Sequence, residues 1–172
     1  MACDRTSRTS VTLARILLRE VYGNRPEFKT AGPEIESMLA SADAAVTIGD
    51  AALKFAIGKI PDGIQVLDLA EAWKTHTGLP FIFAFWAARA GFQADADALL
   101  LQASRDFGVA HTADISTRYA ALLEIPEQTV REYLEQNVYY YMDDDCLQGL
   151  SLFYEKAEQA GIVPIARPLE FV

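Results

Sequence analysis

Cysteine and histidine are nearly missing from this chain, two of each in 172 residues. Cys3 and Cys146 do not read as a disulfide framework or a metal site, and they favour a reduced setting. No HExxH, CxxC or nucleophile elbow occurs, which argues against metal catalysis and covalent acyl chemistry. The GxGxxG and P-loop patterns are also missing, so nucleotide binding has no support. Basic residues are few: 15 Lys and Arg stand against 24 Asp and Glu, for a net charge of -9. That balance argues against a nucleic-acid partner, because a phosphate backbone needs a Lys/Arg patch. An anionic small molecule would need a locally positive pocket. The longest apolar stretch, LPFIFAFWAA, is too short for a membrane-spanning helix. Residues 1–10 hold Asp4, Arg5 and Arg8 and no apolar core of a signal peptide. The expectation is a cytoplasmic chain with no membrane partner.

Hydrophobic residues make up 51% and charged residues 23%, enough for a packed core. Leu13, Ala14, Leu17, Leu18 and Val21 recur at steps of three and four, which predicts a helix over about Thr9–Tyr22, stopped by Gly23-Asn24. Pro33 suits the first position of a short helix to about Leu39. Ala44–Gly49 is a short apolar run closed by glycine, a buried strand of a parallel sheet. Gln65–Leu67 is a shorter strand candidate. Asp68 and Glu71 have cap spacing for a helix that Gly78 ends. Leu79–Arg89, dense in aromatics, reads as a central strand. After Gly91 the pattern turns helical: 94–107, 114–123, 126–137 and 144–160, with Gly161 ending the last. Alternation in the first half argues α/β.

Two stretches could carry chemistry. In SRTS, Ser7, Arg8, Thr9 and Ser10 stand at a helix start, where unpaired N–H groups and a partial positive charge suit a carboxylate or phosphate. Arg5 and Arg8 add local positive charge. Ordinary capping explains the same hydroxyls, and spacing alone favours it. In TIGDAAL, Gly49 permits a tight turn beyond a strand, and Asp50 could orient a substrate hydroxyl or serve as an acid or base. Asp50 as a helix cap is the simpler reading. His76 suits a helix end, and His111 sits in a loop without an obvious partner. Tyr139–Tyr141 reads as packing, and Asp143–Asp145 as a helix start.

Four blocks, SRTSVTLARILL, VTIGDAAL, DLAEAWKTHTGLPFIFAFWAAR and GLSLFYEKAEQAGIV, occur in an order and spacing that resembles the chorismate dehydratases of the futalosine route to menaquinone. The resemblance runs from Thr6 to about Pro164, and L-x-E-x-W-x-x-x-T-G-L-P-F is its most specific part. It implies an α/β fold of the periplasmic-binding-protein type II kind, two lobes with the ligand in the cleft between them. Family members carry a further stretch before the SRTS block. The chain is therefore expected to hold one lobe (4–80) plus the C-terminal half of the other: the crossing strand and helical part (81–172). The implied reaction is a lyase reaction, the dehydration of chorismate to 3-[(1-carboxyvinyl)oxy]benzoate. It calls for no metal and no organic cofactor. The substrate-binding candidates are then Ser7, Arg8, Thr9, Ser10, Gly49 and Asp50, and the catalytic residues are unassigned. Three alternatives accompany this reading. One is a non-catalytic small-anion binding protein of the same fold. Another is the related 1,4-dihydroxy-6-naphthoate synthase. The third is an inactive chain that self-associates through an exposed lobe face.

Overall fold

The structure is a computed structural model and describes residues 1–5, 7–89 and 95–164. The expected helix start at residue 94 and everything beyond Pro164 lie outside them. The described residues form an α/β fold with a small parallel sheet and many helices, in two compact units. The first holds residues 1–84 and 143–164, the second residues 85–142.

In the first unit, β1 (Ala2–Asp4), β2 (Lys29–Ala31) and β3 (Ala45–Val46) make a parallel sheet in the order β2-β1-β3. Ala2 pairs with Lys29 on one side and Ala45 on the other, so β1 is central, and all three of its residues are buried. Helix α1 (Arg8–Glu20) connects β1 to β2, and α2 (Ile35–Ser41) connects β2 to β3. Parallel neighbours require such crossovers. Helix α3 (Gly49–Ile57) follows β3, and α4 (Leu69–Thr77) follows a long loop.

Helix α1 is apolar on two sides. Ala14 packs with Cys3 and Val46 of the sheet, while Leu13, Ile16 and Leu17 pack with Trp73 of α4 and with Phe153 and Ala157 of α8 (Asp144–Gln159). Leu13, Ile16 and Leu17, fully buried, each contribute about 1.5–3 kcal/mol. Trp73 sits edge-on to Phe81 at 5.6 Å and to Phe153 at 6.2 Å. The helix ends carry the devices that their sequence announces. Asp68 accepts the Glu71 N–H at 2.9 Å, and Gly78 closes α4 at φ 78°. Asp143 accepts the Cys146 N–H at 2.9 Å. At the end of α8, the Gly161 N–H donates to Glu158 O and the Ile162 N–H to Ala157 O, the paired bonds of a Schellman turn.

The second unit holds α5 (Asp95–Ala110), α6 (Thr112–Leu123) and α7 (Glu127–Glu132), the last extended by one π-helical turn, Tyr133–Asn137. Helix α5 runs through Gly108 and stops at His111, whose ring stacks on Phe107 and whose Nδ1 lies 2.7 Å from Phe107 O. Tyr139 and Tyr141 are exposed rather than packed inside, and Tyr140 donates its hydroxyl to Leu134 O.

Two expected strands do not form. Gln65–Leu67 carries no regular structure and no ladder among the described residues, with Val66 and Leu67 half exposed. Leu79–Arg89 likewise forms no strand and has no ladder partner among the described residues. Its aromatics serve packing instead: Phe81 contacts Trp73, Phe153 and Phe83 edge-on. The strand in Ala44–Gly49 forms over only two residues. Strands β1 and β2 were not foreseen: each is three residues long, and β2 is a polar edge strand.

Candidate functional site: a cationic cleft at the head of α1

The carboxyl end of β1 leads within a few residues into the start of α1, so Asp4, Arg5 and Ser7 lie where α/β sheets gather ligands. Ser7 is the N-cap of α1: its N–H donates to Asp4 O at 3.1 Å, and its carbonyl accepts the Val11 N–H at 3.3 Å. Its side chain does not cap the helix. Ser7 is 4% exposed, and its Oγ has no hydrogen-bond partner among the described residues. An unsatisfied buried hydroxyl costs about 1–3 kcal/mol, so its position calls for an explanation.

The charge pattern of α1 points the same way. Its first turn carries no acidic residue and begins with Arg8. The first turns of α2, α3, α4, α6, α7 and α8 carry Glu36, Asp50, Glu71, Asp114, Glu127 and Asp144. Those acids offset the positive end of the helix dipole; at α1 nothing within the turn does so.

Around this helix start lies an open cleft of about 440 Å³, within the range of small-molecule sites, about 300–1,000 Å³. Its lining includes Ser7, Arg8 and Thr9 with Arg5, and continues along α1 through Val11, Thr12 and Arg15 to Phe28, Lys29 and Thr30. Phe153, Tyr154 and Val163 supply apolar wall. Four cations, Arg5, Arg8, Arg15 and Lys29, and one carboxylate, Asp4, belong to the lining, giving a positive locality on an acidic protein. Such a cleft can hold an anion with an apolar body.

Of the six candidates, Ser7, Arg8 and Thr9 are together in this cleft. Ser10 is buried in the first turn and is not part of the lining. Gly49 (φ 61°) and Asp50 are exposed at the head of α3 and do not line it either; Asp50 makes no cap bond, because Ile48 is the N-cap. Sequence reasoning did not single out Asp4, Arg15, Phe28 and Lys29, which also line the cleft. The Thr47 Oγ1, just past β3, is a second buried hydroxyl without a partner among the described residues. A signal for Arg15 was present: Arg8 and Arg15 are seven apart, one stripe of a helix.

Both thiols, Cys3 and Cys146, are free and buried. Burial raises the pKa of Cys3, against smaller opposing effects of the N-terminal ammonium and Arg15. Burial, then a hydrogen bond with Asp143, raises that of Cys146. Raised values suppress the thiolate. No helix among the described residues is long and apolar enough to cross a membrane.

Comparison with known proteins agrees with the motif blocks. A curated chorismate dehydratase of Thermus thermophilus is 29% identical to this chain over 172 aligned positions, which cover 90% of the chain. The chain spans 61% of the length of that relative. A family model described as menaquinone biosynthesis matches residues 1–159. A match over nearly the whole sequence decides the assignment: the chain belongs to the menaquinone-biosynthesis family.

Proposed function

We propose that the cleft at the head of α1 binds chorismate for its dehydration to 3-[(1-carboxyvinyl)oxy]benzoate, a lyase reaction, in a periplasmic-binding-protein-like fold. The observation that carries this reading is the orphan Ser7 hydroxyl, buried beside uncapped helix N–H groups in a cleft lined by cations. Chorismate bears carboxylates, and a carboxylate satisfies both the hydroxyl and the helix end. The named relative is a chorismate dehydratase, which supports the same substrate. In the two-lobed architecture of this reading, the lobe of residues 4–80 passes near residue 81 into the crossing segment, and α8 returns to pack on α1.

In the reaction a ring proton and the neighbouring hydroxyl leave as water, and the ring becomes aromatic. Aromatisation supplies the driving force, so the protein chiefly orients the substrate and places charge. Ser7, Thr9 and the first N–H groups of α1 hold one carboxylate, and Arg8 adds charge. No side chain on the cleft stands out as a dedicated base, and a carboxylate of the substrate takes the ring proton. Gly49 and Asp50 follow β3 on the same carboxyl edge of the parallel sheet, outside the cleft lining, and in this reading they meet the substrate from that edge.

The test is to incubate the chain with chorismate, follow its absorbance and separate the products. Loss of chorismate with appearance of the enolpyruvyl benzoate is expected. A folded chain that neither binds nor converts chorismate overturns the proposal.

A further inference from the structure

Arg15 lies seven residues beyond Arg8, about two helical turns, with Val11 and Thr12 between them on the same cleft-facing stripe. Its guanidinium stands over the Phe28 ring at 4.5 Å from the centroid. None of the ion pairs among the described residues involves it. Stacking on an aromatic face restrains a long side chain and leaves the edge of the guanidinium, with its forked donors, open to a planar anion. Lys29, next to Phe28 and also on the lining, adds a second positive charge. Its contact with Glu27 is 3.9 Å between two strongly exposed groups, too weak to neutralise it. Asp4 is a carboxylate on the same lining, but it is buried and already engaged by its own surroundings.

The cleft therefore has two positive ends. One is the head of α1, with Ser7 and Arg8. The other is Arg15 with Lys29. The Cα atoms of Ser7 and Arg15 are about 12 Å apart along the axis at 1.5 Å per residue. Helical side chains lean toward the N-terminus, which draws the guanidinium back toward Ser7. A monocarboxylate can occupy only one end. We infer that Arg15, held by Phe28, seats a second carboxylate and makes the cleft selective for aromatic or ring-borne dianions. This inference rests on the reading of the cleft as the substrate site, but it names a residue and a selectivity that the reading does not require.

Calorimetric titration tests it with three probes: benzoate, benzene-1,3-dicarboxylate and chorismate. The wild-type chain is expected to bind the dicarboxylate at least about tenfold more tightly than benzoate. Arg15→Gln should weaken the dicarboxylate and chorismate by about tenfold, and benzoate by less than about twofold. Arg15→Lys, which keeps the charge but loses the fork, should fall between them. Arg15 is exposed, so both variants should keep the wild-type circular dichroism and unfolding midpoint. Equal losses for mono- and dicarboxylate, or no wild-type preference for the dicarboxylate, overturn the inference. If the dicarboxylate shows the Arg15-dependent preference while chorismate does not bind, the inference stands and the dehydratase proposal falls. If chorismate binds with an affinity indifferent to Arg15→Gln, the dehydratase proposal stands and the inference falls. A wild-type chain that binds none of the probes overturns both.

Discussion

The Lys156 ammonium donates to the Glu20 carboxylate at 2.6 Å, joining the end of α1 to α8 across 136 residues of sequence. His76 Nε2 of α4 lies 3.4 Å from the same carboxylate oxygen, and Arg19 lies 3.6 Å from the other. Glu20 thus ties together the three helices whose apolar faces meet at Leu17, Trp73 and Phe153.

This node makes the first unit acid-sensitive. Burial raises the Glu20 pKa, but the Lys156 hydrogen bond and charge, the His76 hydrogen bond and Arg19 together outweigh it, so the net shift is downward. A lowered folded-state value stabilises the protein above the unfolded Glu value, about 4.3. That contribution is lost as pH falls through the folded value. Glu20→Gln should cost about 1–2 kcal/mol at pH 7. Urea unfolding at neutral and strongly acidic pH reads the difference, which should shrink in acid. A difference constant with pH would remove the charge argument.

Gly149 and Gly108 should respond to alanine in opposite ways. A Cβ at Gly149 on α8 would fall on the Pro80 carbonyl oxygen, a backbone atom that cannot turn aside. Gly149→Ala should destabilise by about 1–3 kcal/mol, as overpacking does. Gly108, inside α5, has open space around its Cβ position. Gly108→Ala should stabilise by up to about 1 kcal/mol. Thermal unfolding of the two variants checks both signs.

Ser7 and Asp68 are both N-caps, yet only Asp68 accepts a cap hydrogen bond. Asp68→Ala should cost about 1 kcal/mol of stability. Ser7→Ala removes an unsatisfied buried hydroxyl, so it should leave stability unchanged or slightly raised. A loss from Ser7→Ala as large as that from Asp68→Ala would mean that the hydroxyl supports the helix after all.

Local signals were legible in the sequence because they act within a few residues. The α1 periodicity, the Asp68 and Gly78 caps, the Gly161 stop and the Asp143–Asp145 start all reappear within a residue or two. Strands were harder, because a ladder depends on a distant partner. Leu79–Arg89 has the composition of a central strand, but its Phe81 is drawn into the cluster with Trp73 and Phe153. β1 has too little sequence to signal itself, and only pairing with Lys29–Ala31 and Ala45–Val46 makes it a strand. The site divides the same way. Ser7, Arg8 and Thr9 line the cleft as one contiguous stretch, while Phe28 and Lys29 reach it only through the β1–β2 pairing.

Thr9 lines the same turn and bears on ground-state binding rather than on a chemical step. In a turning-over enzyme, Thr9→Ala should raise KM for chorismate several-fold with little change in kcat, as loss of uniform binding does. A fall in kcat at unchanged KM would place Thr9 in the transition state instead.

The grip of the α1 head on a carboxylate is tested most directly by titrating chorismate into the wild-type chain and into Ser7→Ala, with unfolding measured on both. Affinity should drop by about tenfold, the loss of one charge-assisted hydrogen bond, while the unfolding midpoint holds. Equal affinity in two equally folded proteins would contradict a carboxylate at Ser7.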